Sequence, residues 1–92
     1  MTFQHVKGQA QEKIVLYTLS TCMWCRMTKS LLSEIGVAFS FVDVDTLEGA
    51  EQDRAKAEIK RWNPSGSYPT IIIDDREVIS GYDEAELRGR FS

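Results

Sequence analysis

A chain of 92 residues has room for one hydrophobic core and no second domain. With 42% hydrophobic and 27% charged residues its composition is that of a soluble globular protein, which argues against a disordered chain. A net charge of −3 gives no electrostatic reason to bind nucleic acid or an anionic membrane, and two cysteines are too few to staple a secreted scaffold.

Residues 1–12 are polar and lack any period, so they are expected to form a flexible arm, with the domain proper over 13–92. His5, the sole histidine, is expected to be a solvated residue of that arm. The start, Met1 to Gly8, lacks the apolar middle of a signal peptide, and no apolar run approaches the ~20 residues of a membrane span. The expected location is therefore the cytoplasm, and the expected state a monomer with no membrane partner.

Lys13 to Thr18 reads as a central strand, apolar enough to be covered on both faces. Ser20 and Thr21 lead into a helix that they could cap. Met27, Leu31, Leu32 and Ile35 give that helix its apolar stripe, and Gly36 supplies a left-handed stop. Val37 to Asp45 alternates as a second strand, which completes a βαβ unit with a right-handed crossover. Asp45-Thr46-Leu47-Glu48 has the spacing of a capping box for a second helix, running to Trp62 with Ala55, Ile59 and Trp62 on its inner face. Asn63 to Ser67 forms a loop, and Tyr68-Pro69 opens a third strand, Thr70 to Ile73. Asp74-Asp75-Arg76 is short enough to demand a hairpin into a fourth strand, Glu77 to Ser80. Asp83 and Glu86 repeat the capping spacing ahead of a short last helix carrying Leu87 and Phe91, which Gly89 should fray. The expected architecture is α/β, a four-stranded mixed sheet in the order β-α-β-α-β-β-α with helices on both faces.

The only cysteines, Cys22 and Cys25, flank Met23-Trp24 where the first strand gives way to the first helix. Cys22 thus falls at a helix N-terminus and Cys25 one turn further in. Unpaired backbone N–H groups and the positive end of the helix dipole stabilise an anion there, and for cysteine that anion is the reactive thiolate. A spacing of three lets the second sulfur reach the first, which makes a reversible dithiol/disulfide switch. Cys22 is expected to be the nucleophile that forms a mixed disulfide, and Cys25 the shielded thiol that resolves it. Trp24, a large ring between the two, is expected to be exposed as a contact surface. Arg26 and Lys29 give the helix a positive bias that could favour the thiolate or draw in an anionic partner, but they are equally well explained as ordinary surface residues and are assigned no catalytic role. A structural zinc site would need two more ligands than this chain supplies.

Tyr17-Thr18, Cys22-Met23-Trp24-Cys25, Lys29 and Leu32, Tyr68-Pro69-Thr70 and Gly81-Tyr82-Asp83 stand in an order and spacing that resembles the glutaredoxins of the thioredoxin superfamily. The likeness covers about residues 13 to 91. It implies a thioredoxin fold and a thiol–disulfide oxidoreductase with no tightly bound cofactor. It also implies a cis peptide before Pro69, with the Tyr68 backbone beside it open to pairing by an extended peptide or by glutathione as co-substrate. Asp83, with Gly81 and Tyr82, would hold the γ-glutamyl end of glutathione. Three departures stand out. Thr18-Leu19-Ser20-Thr21, just before Cys22, holds no lysine, Gly66-Ser67 just before Tyr68 holds no basic residue, and Met23-Trp24 replaces the usual Pro-Tyr. Met23 and the run Ser80-Gly81-Tyr82 also resemble the redoxins that serve ribonucleotide reductase and draw electrons from thioredoxin reductase. A third possibility within the family is a dimer bridging an iron–sulfur cluster through Cys22.

Overall fold

A computed structural model describes all 92 residues. The sheet is mixed and five-stranded, in the order β1 (Gln4–Val6), β3 (Phe39–Asp43), β2 (Ile14–Thr18), β4 (Thr70–Ile73), β5 (Glu77–Ser80). Only β2 and β3 are parallel, joined by helix α1 (Met23–Ile35); every other pairing is antiparallel. Helix α2 (Gly49–Trp62) leads to β4, and α3 (Glu84–Phe91) follows β5.

Strand alternation divides the core into two layers. Leu16, Phe39, Ile71 and Ile73 point to one face and meet Leu31 and Leu32 of α1 and Leu87 of α3. Tyr17, Val42 and Ile72 point to the other and meet Ala55 and Ile59 of α2. Because β2 and β4 are covered on both faces, they read as nearly unbroken apolar runs. No helix is long and apolar enough to cross a membrane.

The fifth strand corrects the expected count of four and the expected loose arm. Gln4–Val6 pairs antiparallel with Phe39–Phe41 at the sheet edge. Gln9 then bridges across Val37, donating to Gly36 O at 2.8 Å and accepting from Ala38 N at 2.9 Å. Gly8 makes this approach possible: a β-carbon there would lie 2.4 Å from the Val37 carbonyl carbon. Farther along, Glu12 accepts both arms of the Arg90 guanidinium, at 2.8 and 2.5 Å, which fastens the segment to α3. Arg90 also binds Glu77, at 2.9 Å, so α3 runs through Gly89 to Phe91 where fraying was expected.

Other boundaries shift for local reasons. The strand expected over Val37 to Asp45 is confined to Phe39–Asp43, and Val44–Thr46 turns as a single 3-10 helix. Glu48, not Asp45, is the N-cap residue of α2, because the Asp45 carboxylate faces the loop that enters α1. Trp62 is half-buried at the margin of the core, its indole N–H donating to Glu58 at 2.9 Å. Gly36 ends α1 with φ 94° and donates to Leu32 O at 3.0 Å, the left-handed stop read from the sequence.

Gly8→Ala is expected to destabilise the fold by about 1–3 kcal/mol, the usual effect of forcing an extra carbon against packed backbone. Urea denaturation of the two proteins measures it, and unchanged midpoints would show that the edge strand contributes little.

Candidate functional site

The loop from β2 into α1 is shaped by three contacts. Cys22 N–H donates to Leu19 O at 3.2 Å, closing a turn. The Ser20 backbone N–H donates to Asp45 at 2.9 Å, and the Ser20 hydroxyl donates to the other oxygen of the same carboxylate. These bonds hold the Asp45 carboxyl below its usual range. Ser20 is therefore bound to the 3-10 turn and is not the helix cap.

The cap is Cys22 itself. Its backbone is extended, and its sulfur accepts the Cys25 N–H at 3.2 Å. A sulfur thus takes the place that a Ser, Thr or Asp oxygen occupies in most helices, among N–H groups that favour negative charge. No acidic residue lies in the first turn to oppose it.

Both cysteines are free thiols, but their surroundings differ. Cys22 is part-exposed, whereas Cys25 is wholly inaccessible. Burial, together with a hydrogen bond to Cys22, pushes the Cys25 thiol up to about 12, against a smaller opposing pull from the Leu19 backbone and Lys29. At neutral pH Cys25 is a protonated, hidden thiol directly behind an accessible sulfur.

Around this pair the surface is apolar. Met23 is 69% exposed, Trp24 55% and Met27 39%. Trp24 stacks on Tyr82 with ring centroids 5.8 Å apart and planes inclined by 21°. The Tyr68–Pro69 peptide bond is cis, and the Pro69 carbonyl accepts the Gly81 N–H at 2.9 Å, which ties the loop before β4 to the turn after β5. Neither the N–H nor the C=O of Tyr68 makes a backbone hydrogen bond. Burial, Cys25 and Asp45 push the Tyr68 phenol up, so it stays neutral. Asp83 caps α3 by accepting the Glu86 N–H at 3.0 Å. Structure thus gathers Cys22, Cys25 and Trp24 from α1, Tyr68 and Pro69 from the β4 entrance, and Gly81 and Tyr82 from the β5 exit. Asp83 follows them at the start of α3, with one carboxylate oxygen taking the cap bond.

Sequence reasoning named Lys29 but missed its partner beneath the site. Asp43, at the end of β3, accepts from the buried Thr18 hydroxyl at 2.6 Å and from Lys29 Nζ at 3.2 Å, with one oxygen serving both. The Lys29 ammonium also lies 3.8 Å from the centre of the Phe41 ring. The available signal was the i, i+4 spacing of Cys25 and Lys29, which puts both on one side of α1. No cluster of three or more His, Cys, Asp or Glu side chains is arranged to hold a metal.

A mixed sheet with a two-cysteine helix start facing a cis-proline loop defines the thioredoxin fold class. Within it, the family model for glutaredoxin matches residues 14–78, and the chain belongs to the glutaredoxin family, whose members are generally thiol–disulfide oxidoreductases. A glutaredoxin-like protein from the rubredoxin operon of Clostridium pasteurianum is 31% identical over 74 residues, covering 80% of this chain and 91% of its own. Among solved structures, the glutaredoxin of Methanosarcina mazei superposes with TM-score 0.89 at 46% identity, over 100% of this chain and 89% of that one. The methanoredoxin of Methanosarcina acetivorans gives 0.87 at 45%, over 92% and 90%.

The unequal thiols make a direct prediction. Below the pKa of a thiol its alkylation rate rises about tenfold per pH unit with the thiolate fraction. In Cys22→Ser, iodoacetamide labelling of Cys25 should stay slow at neutrality and keep accelerating well into the alkaline range. A rate that levels off near the ordinary thiol pKa would contradict the buried environment.

Proposed function

We propose that this protein is a dithiol oxidoreductase that reduces protein disulfides and glutathione mixed disulfides through the Cys22/Cys25 pair. One observation carries the proposal: an accessible sulfur caps α1, and the buried Cys25 thiol stands one turn behind it.

The step balances as two exchanges. The Cys22 thiolate attacks one sulfur of the substrate disulfide, a Cys22–substrate disulfide forms, and the other substrate sulfur leaves as a thiolate that takes a proton from water. Cys25 then loses its proton and attacks Cys22. The bond to substrate breaks, the second thiol departs, and Cys22–Cys25 is left oxidised, two electrons having passed to the substrate.

Trp24, Tyr82 and Gly81 form one wall of the approach to Cys22, and Tyr68 with Pro69 forms the other. The unpaired Tyr68 backbone would take an extended peptide, or the peptide-like backbone of glutathione, as an added strand. The Asp83 end would receive an amino-terminal group. The protein requires no tightly bound cofactor for this chemistry, and the cytoplasm, with its reducing supply, is the compartment that suits it.

Electron supply is either glutathione or a thioredoxin-reductase-type enzyme. The second has a specific observation in its favour: of the two cations on the active-site helix, Lys29 is already bound by Asp43, which leaves Arg26 to meet glutathione carboxylates.

Cys22→Ser should abolish reduction of a disulfide substrate. Cys25→Ser should accumulate a mixed disulfide, visible as a mass increase equal to one substrate half. Turnover retained in Cys22→Ser would overturn the assignment of roles.

The donor is tested by offering the oxidised protein either glutathione with glutathione reductase, or thioredoxin reductase, and following NADPH consumption. The expected result is faster reduction by thioredoxin reductase, whereas glutathione alone sustaining turnover would reverse that preference.

A further inference from the structure

Behind the two sulfurs lies a charged pair that the exchange steps above leave unused. Lys29 is one helical turn from Cys25 on the same side of α1, a separation of about 5–6 Å between β-carbons. Its ammonium is not free to wander: Asp43 holds it at 3.2 Å, and the Phe41 ring lies 3.8 Å beneath it. Asp43 is in turn fixed by the Thr18 hydroxyl at 2.6 Å, and that hydroxyl is fully buried in the last residue of β2. Side chains of both members are largely covered, with 23% of Lys29 and 17% of Asp43 exposed. Ion pairs this enclosed seldom add stability over well-packed apolar residues, because both charges must shed water. Stability alone therefore gives little reason for a lysine at this position.

We propose that Lys29, anchored by Asp43, is a positioning residue for Cys25: its ammonium supplies the countercharge as the Cys25 sulfur becomes anionic, and so sets the rate at which the mixed disulfide is resolved. The proposal rests on the two-step exchange described above.

The remaining groups around Cys25 support it. On its own helix stand Cys22 and Lys29, and from the loop before β4 stands Tyr68. Asp43 and Asp45 lie on the Lys29 side. Once Cys22 is joined to substrate it carries no charge, and Tyr68 is neutral. Lys29 is then the sole cation among these groups, and it already opposes the burial that keeps Cys25 protonated. Asp43 holds the ammonium in place without an unpaired acid facing the sulfur.

Dithiodipyridine, an uncharged disulfide, separates the two steps. Attack by Cys22 releases one thiopyridone at a rate set by reagent concentration. Attack by Cys25 on the resulting mixed disulfide releases the second at a rate independent of it. Removing the Lys29 charge should raise the Cys25 pKa, which lowers the thiolate fraction. A more basic thiolate is also a better nucleophile, and this returns part of the loss. Lys29→Met should therefore slow the second release severalfold and move its pH profile upward, with the first release changed far less. Lys29→Arg should restore both rate and profile. The double variant Lys29→Met/Asp43→Asn, which leaves no orphaned carboxylate, should be as slow as Lys29→Met.

An unchanged second phase and pH profile in both the single and double variants would overturn the proposal, as would equal slowing of both phases. A protein that, unmutated, releases only one thiopyridone and matches Cys25→Ser would instead remove the exchange reading itself. The behaviour of the unmutated protein thus tells the two failures apart.

Discussion

The hydrogen bond from the Cys25 N–H to the Cys22 sulfur fixes the site, because it makes the accessible sulfur the cap of the helix, and in the proposed exchange that capping atom is also the nucleophile. A cap contributes about 0.5–2 kcal/mol to a helix end, and an anionic acceptor makes a stronger hydrogen bond than a neutral one. The cap is therefore at its best when the sulfur is a thiolate, and weakens when that sulfur is shared with substrate or with Cys25. Helix geometry and reactivity are coupled through this contact. The one histidine, His5, lies on β1 and bonds to Ser40.

A cap alone would leave a flexible loop in front of it. The sheet removes that freedom by fixing the β2–α1 connection at several points. Thr18 bonds to the Val42 carbonyl and to Asp43, and Ser20 bonds to Asp45, so the connection is laced to the end of the neighbouring parallel strand. On the other side, the Gly81 N–H donates to Pro69 O and keeps the β4 entrance against the β5 exit. Thr18 and Ser20 reach partners 24 and 25 residues away, and Gly81 reaches across the β4–β5 hairpin, so the site is assembled from both sides of β2. The N-terminal strand and the Glu12–Arg90–Glu77 network close the edges of the same sheet and touch none of the reacting atoms.

Features carried by local pattern were legible in the sequence. The apolar stripe of α1 and its Gly36 stop, the β4–β5 hairpin over Asp74-Asp75-Arg76, and the position of the two cysteines at a strand-to-helix junction all depend on neighbours within a few residues. Features decided by distant partners were not. Gln4–Val6 is a three-residue edge strand with two exposed residues, so it lacks both length and alternation, and only the backbone of β3 makes it a strand. Asp45 has the spacing of a capping residue, but two donors from Ser20 outbid the single N–H that a helix start would offer. Lys29 and Asp43 are ordinary surface types fourteen residues apart. Nothing in their spacing reveals that parallel pairing of β2 with β3 sets them side by side.

In the proposed exchange, the contrast between the two sulfurs gives the reaction its order. An exposed sulfur with a cap behind it meets a substrate by diffusion, whereas a buried one meets nothing until a disulfide is delivered to its neighbour. Delivery makes the second attack intramolecular, and held reactants gain effective concentrations far above any free thiol in solution. Cys25 can then be a poor acid, protonated nearly always at neutrality, and still outcompete external thiols for the mixed disulfide. Its burial also protects it: a thiol that is neither exposed nor ionised is spared alkylation and stray oxidation while the protein waits in its reduced state. The same low exposure that would make Cys25 useless by itself makes it a dependable second step.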